Sequence, residues 1–512
     1  MTEFKARPAT GDSATDPSGV RRKTLALFLG PLFAVALYLL LPESYTDPEG
    51  MVVPLSSYGR FAAAVGLCMA VWWMTEAIPV YVTALLPMAL FPLAEATSIK
   101  VVAAPYGHPL VFLFLGGFIV ALSLERWGLH KRIALVSLRA VGSSPAMIVG
   151  AFMTISALLS MWVTNTATTI MLLPVALSVI SLLPEPDNDE LRRQEKNFSL
   201  CLLLGIAYAA SIGGIGTIIG TAPNLFVVSF LQEQLNITIS FVKWMMLGVP
   251  LVVVFVPLAW LVLTRWVYPL HVKEIPGAHK LLAEANAALA PVSIAEKRTL
   301  LVFLLTAAAW IFRPLLQKIS LGDWQPLAGL TDTGVALFAA LVLFIVPSGQ
   351  RSGQRLMNWP TALKLPWGLL LLFGGGLSLA AALDQSGFSR FLGSQAEVLG
   401  GLPVWLIIVV VVSIVIFLTE LTSNFATTAT LVPILYAVSV GLNIEPQLII
   451  IPAAIAASCA FMLPVATPPN AIVFGSGQVT VPQMSRAGFS LNLLGIVLVS
   501  TISYAILLLL VI

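Results

Sequence analysis

Two stretches of the chain place polar side chains where their surroundings are apolar. Residues 159–174 read Leu-Ser-Met-Trp-Val-Thr-Asn-Thr-Ala-Thr-Thr-Ile-Met-Leu-Leu-Pro, and residues 418–433 read Leu-Thr-Glu-Leu-Thr-Ser-Asn-Phe-Ala-Thr-Thr-Ala-Thr-Leu-Val-Pro. Each sets an amide beside hydroxyls, Asn165 between Thr164 and Thr166 and Asn424 after Ser423. Such groups offer oxygens to a small hard cation and neutral donors to an anion. Neither stretch contains Lys or Arg, so an anion held here would rest on hydroxyls, amides and co-bound cations.

The two stretches are copies. Asn165 and Asn424, Thr168 and Thr427, Thr169 and Thr428, and Pro174 and Pro433 all lie 259 positions apart. Upstream the same offset relates Gly117 to Gly376, Gly128 to Gly387 and Gly142 to Gly401. A constant offset over that length marks an internal duplication. A second pair of motifs follows each copy: Gly-Gly-Ile-Gly-Thr-Ile-Ile-Gly-Thr-Ala-Pro-Asn ends at Asn224, and Leu-Pro-Val-Ala-Thr-Pro-Pro-Asn ends at Asn470. Pro removes a backbone donor and Gly loosens the backbone, so a helix breaks at each. In hydrocarbon such a break persists only where protein, ion or water satisfies the freed groups.

The elements that position these motifs are membrane helices. The chain is 58% hydrophobic and 10% charged, with mean hydropathy +0.95, which excludes a soluble enzyme and predicts an all-α polytopic membrane protein. Cys68, Cys201 and Cys459 lie in apolar segments without CxxC spacing and read as core thiols. The histidines 108, 130, 271 and 279 are scattered and suggest no metal cluster. No cleavable signal peptide is apparent, and the polar residues 1–23 read as a disordered tail.

Apolar spans are predicted at about 24–41, 60–79, 80–96, 110–125, 197–231 (broken), 240–265, 300–316, 333–347, 367–383, 448–475 (broken) and 488–512, with a basic helix near 129–141. That makes about 11 transmembrane helices, plus two re-entrant hairpins at 145–183 and 403–440. With the N-terminus in the cytoplasm and the C-terminus outside, 21 of the 27 Lys and Arg residues fall inside, among them Lys5, Arg7, Lys131, Arg139, Lys273, Lys280, Arg351 and Lys364. Treating the hairpins as single crossings scatters those charges. The hairpin topology makes the span of Gly117 run opposite to that of Gly376, so the chain divides into inverted repeats, 24–265 and 300–512, joined by a cytoplasmic linker, 266–299. Inverted repeats with matched polar interruptions point to a secondary transporter with a midplane site.

Side chains in these motifs have bland readings too. Thr168, Thr169, Thr427 and Thr428 read best as hydroxyls bonded to a backbone carbonyl or to a neighbouring helix, and the glycines 116–117 and 374–376 as close helix packing. Asn165 and Asn424 read as binding residues. The intramembrane acids Glu76 and Glu420 are functional candidates or buried structural anchors.

Trp73-Met74-Thr75-Glu76-Ala77-Ile78-Pro79, the two tips and Ala466-Thr467-Pro468-Pro469-Asn470 together resemble the divalent-anion/sodium symporters, a family carrying di- and tricarboxylates or sulfate. The resemblance covers nearly all of the chain after residue 24. It implies a homodimer in which part of each protomer moves like an elevator. It implies that Thr164, Asn165, Thr166, Ser423 and Asn424 bind substrate carboxylates, with Thr221, Thr467 and Pro468 bordering the site. It implies one sodium site from Ser160, Thr164, Asn165 and Gly220, and another from Thr419, Ser423, Asn424 and Ala466. Two positions depart from the family pattern: Thr164 stands where Ser is usual, and Phe425 where Thr is usual. Phe425 removes a hydroxyl and is expected to narrow the substrate pocket.

The expected function is a Na⁺-coupled carrier of C4 dicarboxylates such as succinate, malate and fumarate, in a bacterial-type inner membrane. Its partners are the anion, sodium ions, lipid and a second copy of itself, with no nucleic acid. A sodium-independent exchanger, or a sulfate or tricarboxylate carrier of the same fold, stays open at this point. An anion channel and an intramembrane enzyme fit less well: the hairpin tips close the path, and no nucleophile sits beside a base in the spans.

Overall fold

The computed structural model describes residues 17–46, 50–94, 97–138, 144–181, 189–271, 284, 289–350, 352–396 and 401–510. Residues 1–16 of the expected tail, residues 272–283 and 285–288 of the linker, and Arg139, Gly142 and Arg351 lie outside the described residues, Lys5, Arg7, Lys273, His279 and Lys280 falling in those stretches; residues 17–23, expected to be disordered, are helical. The described residues are mainly helical in their apolar segments, apart from the breaks at 215–221 and 457–467, and the one sheet among them is a short ribbon, Ser44–Thr46 against Val52–Pro54. Among the described residues, eight helices are long and apolar enough to cross a membrane, with shorter apolar helices between them.

The first half runs α1 (Pro17–Leu40), α2 (Ser57–Thr75), α3 (Pro109–Arg126), α4 (Leu129–Leu138), α5 (Pro145–Ser160), α6 (Asn165–Ile180), α7 (Asp189–Gly214), α8 (Ala222–Leu235) and α9 (Phe241–Leu261). The second runs α10 (Ile294–Leu316), α11 (Asp332–Ile345), α12 (Trp367–Gln385), α13 (Phe388–Gln395), α14 (Val404–Thr419), α15 (Asn424–Gly441), α16 (Gln447–Ala456), α17 (Pro468–Gly475) and α18 (Val481–Leu510). From α3 and α12 onward the halves correspond element by element, as inverted repeats. The segment expected to form a third span at 80–96 is not one helix. Prolines 79, 87 and 92 divide it into Val80–Thr83, Leu86–Leu90 and a 3₁₀ turn, Phe91–Ala94, because each lacks the amide a continuous helix needs.

Helices α5, α6 and α14 have 16 residues each and α15 has 18. At 1.5 Å per residue these arms are about 24–27 Å long, short of a hydrocarbon core of about 30 Å. Only four residues, 161–164 and 420–423, join the arms of each pair, which forms the two re-entrant hairpins. Helix α7 is buried on all sides from Asn197 to Gly214, the expected place for a helix apolar all round. The glycines do pack helices closely. A Cβ at Gly116 would fall 2.6 Å from the Ala336 backbone, and one at Gly376 would fall 2.6 Å from the Phe226 ring.

Candidate functional site

Each broken span is closed by its own asparagine. Asn224 Nδ2 donates to the carbonyls of Gly214 (3.0 Å) and Thr217 (2.8 Å). Asn470 Nδ2 donates to those of Ala460 (3.2 Å) and Leu463 (3.0 Å). All three pairs of positions are 246 apart, so the duplication reproduces the contact as well as the residue. Both side chains are fully buried. They take up carbonyls freed where α7 and α16 end, the groups an apolar environment would otherwise leave without partners.

Four helices begin at one place. Thr164, Thr221, Ser423 and Thr467 are the N-cap residues of α6, α8, α15 and α17. All four line one cavity of about 1550 Å³, together with Asn165, Thr166, Gly220, Asn424, Phe425, Ala466 and Pro468. Helix N-termini present amide donors and the positive end of the helix dipole. Their convergence from the two halves is an arrangement that suits an anion, and the tips themselves carry no Lys or Arg. Ser160 and Thr419 lie behind the tips, fully buried at the ends of α5 and α14.

The first tip holds buried oxygens without partners. Ser160 Oγ and Asn165 Oδ1 have no hydrogen-bond partner. The Asn165 side-chain amide and the Gly220 carbonyl approach each other beside Gly214, where a Cβ would lie 3.0 Å from Asn165 Oδ1, 3.1 Å from the Gly220 oxygen and 3.2 Å from Asn165 Nδ2. In the second tip, the single proton of Thr419 Oγ1 has two acceptors within reach, Asn424 Oδ1 (3.0 Å) and the Ala457 carbonyl (2.9 Å). Of the four threonines expected to bond to a backbone carbonyl or a neighbouring helix, two bond to backbone carbonyls. Thr169 and Thr428 donate to the Asn165 and Asn424 carbonyls, and Thr427 pairs with Thr422. Thr168 Oγ1 is buried without a partner.

The two acids separate. Glu420 is buried, and its carboxylate accepts from the backbone amides of Phe461 (2.7 Å), Met462 (3.0 Å) and Leu463 (3.2 Å) and from Asn492 Nδ2 (2.8 Å). It ties the second tip to the loop that carries Ala466 and Thr467. Glu76 instead ends α2 in the left-handed region, φ 47°, and lines the cavity with its side chain exposed. In the same motif Trp73 Nε1 donates to the Val80 carbonyl (3.0 Å) and Thr75 to that of Val71 (2.6 Å), fixing the turn.

Phe425 does not project into the pocket. It reaches the cavity wall, but its ring is 3% exposed and stands edge-on to Phe226 (5.4 Å between centroids) and Phe373 (5.0 Å). The substitution is absorbed by an aromatic cluster rather than by the ligand space. The sequence reading missed Asn492, the partner of Glu420, although a lone amide in the apolar run 488–512 was a visible signal. It also missed Thr217, whose hydroxyl donates to the Met161 carbonyl (2.5 Å) and ties the first break to the first tip.

The family model described as the sodium:sulfate symporter transmembrane region matches residues 23–511. A relative in Staphylococcus saprophyticus, named sodium-dependent dicarboxylate transporter SdcS, is 39% identical over 483 residues, covering 94% of this chain and 90% of its own length. A relative of the same name in Staphylococcus aureus (strain USA300) is 38% identical over 485 residues, with the same coverage of both chains. The YdaH transporter of Alcanivorax borkumensis shares the fold, with a TM-score of 0.60 at 15% identity, covering 94% of this chain and 98% of that one. The chain belongs to the sodium:sulfate symporter family, the divalent-anion/sodium symporters its tips resemble.

Proposed function

We propose that this protein imports C4 dicarboxylates with sodium, as a carrier rather than an enzyme. The observation that carries the reading is the convergence of four helix N-termini on one cavity whose tips hold no Lys or Arg. The names of the staphylococcal relatives support both the sodium and the dicarboxylate. Substrate carboxylates would meet Thr164, Asn165 and Thr166 on one side and Ser423 and Asn424 on the other, bordered by Thr221, Thr467 and Pro468. Sodium would be held by Ser160, Thr164, Asn165 and Gly220 at the first tip, and by Thr419, Ser423, Asn424 and Ala466 at the second. Each ligand supplies what the other lacks: sodium brings charge to a neutral site, and the anion brings charge to the sodium, so each raises the other's affinity.

The cavity is also lined by Lys23, Lys131 and Lys364, from the set that the positive-inside rule puts in the cytoplasm. On this reading the conformation is inward-open, the N-terminus is cytoplasmic and the C-terminus outside, in a plasma membrane. Repeats at 24–265 and 300–512 would assemble as a homodimer and move the tips as an elevator. The test is uptake of labelled succinate into proteoliposomes with external Na⁺ or K⁺. Uptake requiring inward Na⁺ supports symport; uptake indifferent to Na⁺ and accelerated by internal dicarboxylate would replace it with exchange.

A further inference from the structure

Trp162 and Leu421 hold one matched position in the two tips, 259 apart, and differ in what covers them. Leu421 lines the cavity and is 70% exposed. Trp162 does not line it, although Val163 and Thr164 beside it do. Its ring stacks on Phe241 (5.9 Å between centroids, 26° between planes) and meets Phe303 edge-on (5.2 Å). Phe241 stacks in turn on Trp310 (4.5 Å, 14°), and both are buried. One carboxylate holds this stack. Phe241 N–H donates to Asp332 Oδ2 (2.9 Å), and the Trp310 indole donates to the Asp332 carbonyl (2.9 Å). Arg313 Nε stands 3.0 Å from Asp332 Oδ1, an ion pair without hydrogen-bond alignment. The first turn of α9 is bound to the site as well, since Trp244 Nε1 donates to the Ile215 carbonyl where the first break begins (2.9 Å). Tip, break and α9 therefore meet α10 and α11 through one aromatic stack and one buried carboxylate.

Alternating access gates one set of elements against another around a fixed site, so of two matched tips one is packed while its twin is bare. Trp162 is the packed one, on the side away from the lysine-lined mouth. With the N-terminus inside, α10 runs outward from Lys297 and Arg298, and Trp310 and Arg313 sit in its last two turns, towards the outer surface. Aromatic pairs are directional and individually modest, so such a stack can part and re-form, and an ion pair at membrane depth is a functional feature by default. The open side holds matching parts. Trp73, like Trp310, donates its indole to the first residue of the next helix, Val80, and Met74, Thr75 and Glu76 after it line the cavity with Leu421. We propose that Trp162, Phe241 and Trp310, held by Asp332, form the outer gate of the carrier. The gate keeps the first tip closed to the outside in this conformation and must part for the site to open there. This rests on the inward-open reading above.

The experiment joins cross-linking to uptake in proteoliposomes of the full chain, whose own Cys68, Cys201 and Cys459 are buried. Trp162→Cys combined with Phe303→Cys, treated with a short reducible bis-thiosulfonate linker, should lose sodium-driven succinate uptake at least tenfold. Reduction should restore it, and the linker should leave each single variant unaffected. Uptake that persists once mass spectrometry shows the link in place would overturn the gate and make the stack a static contact. A second measurement needs no transport and covers a double variant that folds poorly. Leu421→Cys is labelled with a membrane-impermeant maleimide in vesicles of known orientation, and its thiol should react from the cytoplasmic face. Adding Trp310→Ala should release the gate, shift the population towards the outward-open form and slow that reaction at least threefold. Trp310→Phe keeps a ring for Phe241 and should bring the rate back. Equal or faster labelling in Trp310→Ala would overturn the gate. Labelling of Leu421→Cys only from the outer face would instead overturn the inward-open reading. A wild type without sodium-dependent uptake would overturn the coupled carrier, with the labelling still deciding the gate.

Discussion

Replacing Glu420 by Gln preserves shape and removes half of an acceptor. Its carboxylate receives three consecutive backbone amides and Asn492, with Met462 N shared between both oxygens at 3.0 Å. A glutamine has one acceptor oxygen. Placed on the Phe461 side it leaves Leu463 N–H facing an NH₂ group, and placed on the Leu463 side it abandons both Phe461 N–H and Asn492 Nδ2. The first placement orphans one buried donor and the second two, at a cost of about 1–3 kcal/mol each, and the remaining bonds lose their charge assistance. The loop from 457 to 467 carries Ala466 and Thr467, so the loss falls on the second tip and its site. If about 2 kcal/mol of that loss is felt in binding, the sodium concentration for half-maximal succinate uptake rises about 30-fold, at about 1.4 kcal/mol per tenfold. The assay is sodium-dependent initial uptake in proteoliposomes, run beside thermal unfolding. A variant that unfolds earlier but keeps its sodium dependence within twofold would refute the link between this anchor and the site. Unchanged unfolding would refute the hydrogen-bond argument itself.

Other substitutions test separate parts of the reasoning. Asn224→Ala and Asn470→Ala each free two buried carbonyls, so both should lower thermal stability by about 2–4 kcal/mol, more than Asn165→Ala, whose loss should appear in uptake instead. Glu76→Gly removes left-handed strain worth about 1 kcal/mol, so the variant should melt higher; uptake should fall if the carboxylate at the cavity mouth is used, which kinetics at fixed sodium will report. Arg132 Nε and Nη2 contact both oxygens of Glu296, joining α4 to the start of α10. Arg132→Ala should cost about 1–3 kcal/mol by leaving a half-buried carboxylate unpaired, and the paired swap Arg132→Glu with Glu296→Arg should recover part of it in a double-mutant cycle. Phe425→Thr restores the usual family hydroxyl but empties part of the Phe226–Phe373 cluster. It should lose about 3 kcal/mol of stability while leaving competition by citrate and sulfate unchanged, because the ring packs on Phe226 and Phe373; a broadened competition profile would show that the ring does set the anion.

The repeat was legible because its evidence is local. Identical residue types recur at one offset, and the break motifs announce themselves through Gly and Pro. The offset of 246 at the breaks also carried through to the carbonyls that Asn224 and Asn470 hold. Legibility ended where a contact joins distant positions. Glu420 meets Asn492 across 72 residues, and no period or spacing links an acid in one tip to an amide in the last helix. The direction of Phe425 was hidden for a related reason. The first residues of a helix face whatever the neighbouring helices leave open, and here Phe226 and Phe373 from α8 and α12 take the ring. The third span misled because composition counts apolar residues, while prolines 79, 87 and 92 decide whether they form one helix.

Magnitudes explain why neutral donors and sodium belong together in this site. A helix N-terminus stabilises a nearby anion by about 0.3–1 kcal/mol when exposed and up to about 2 kcal/mol when partly buried. Four of them, at Thr164, Thr221, Ser423 and Thr467, therefore supply at most about 8 kcal/mol. Moving one ionised carboxylate out of water into an apolar medium costs tens of kcal/mol by Born solvation, and a C4 dicarboxylate has two. The wet cavity lowers that cost without removing it, and the helix ends alone leave a deficit. A lysine or arginine at the tips would close the deficit permanently and let the anion bind without an ion. With the tips neutral, the missing charge must arrive with the substrate. On the proposed reading, the unpartnered oxygens of Ser160 and Asn165, beside the same helix ends, would receive it. Coupling is then a consequence of what the tips lack, and placing a lysine there, as in Thr166→Lys, should permit anion binding without sodium while abolishing the sodium dependence of whatever transport survives.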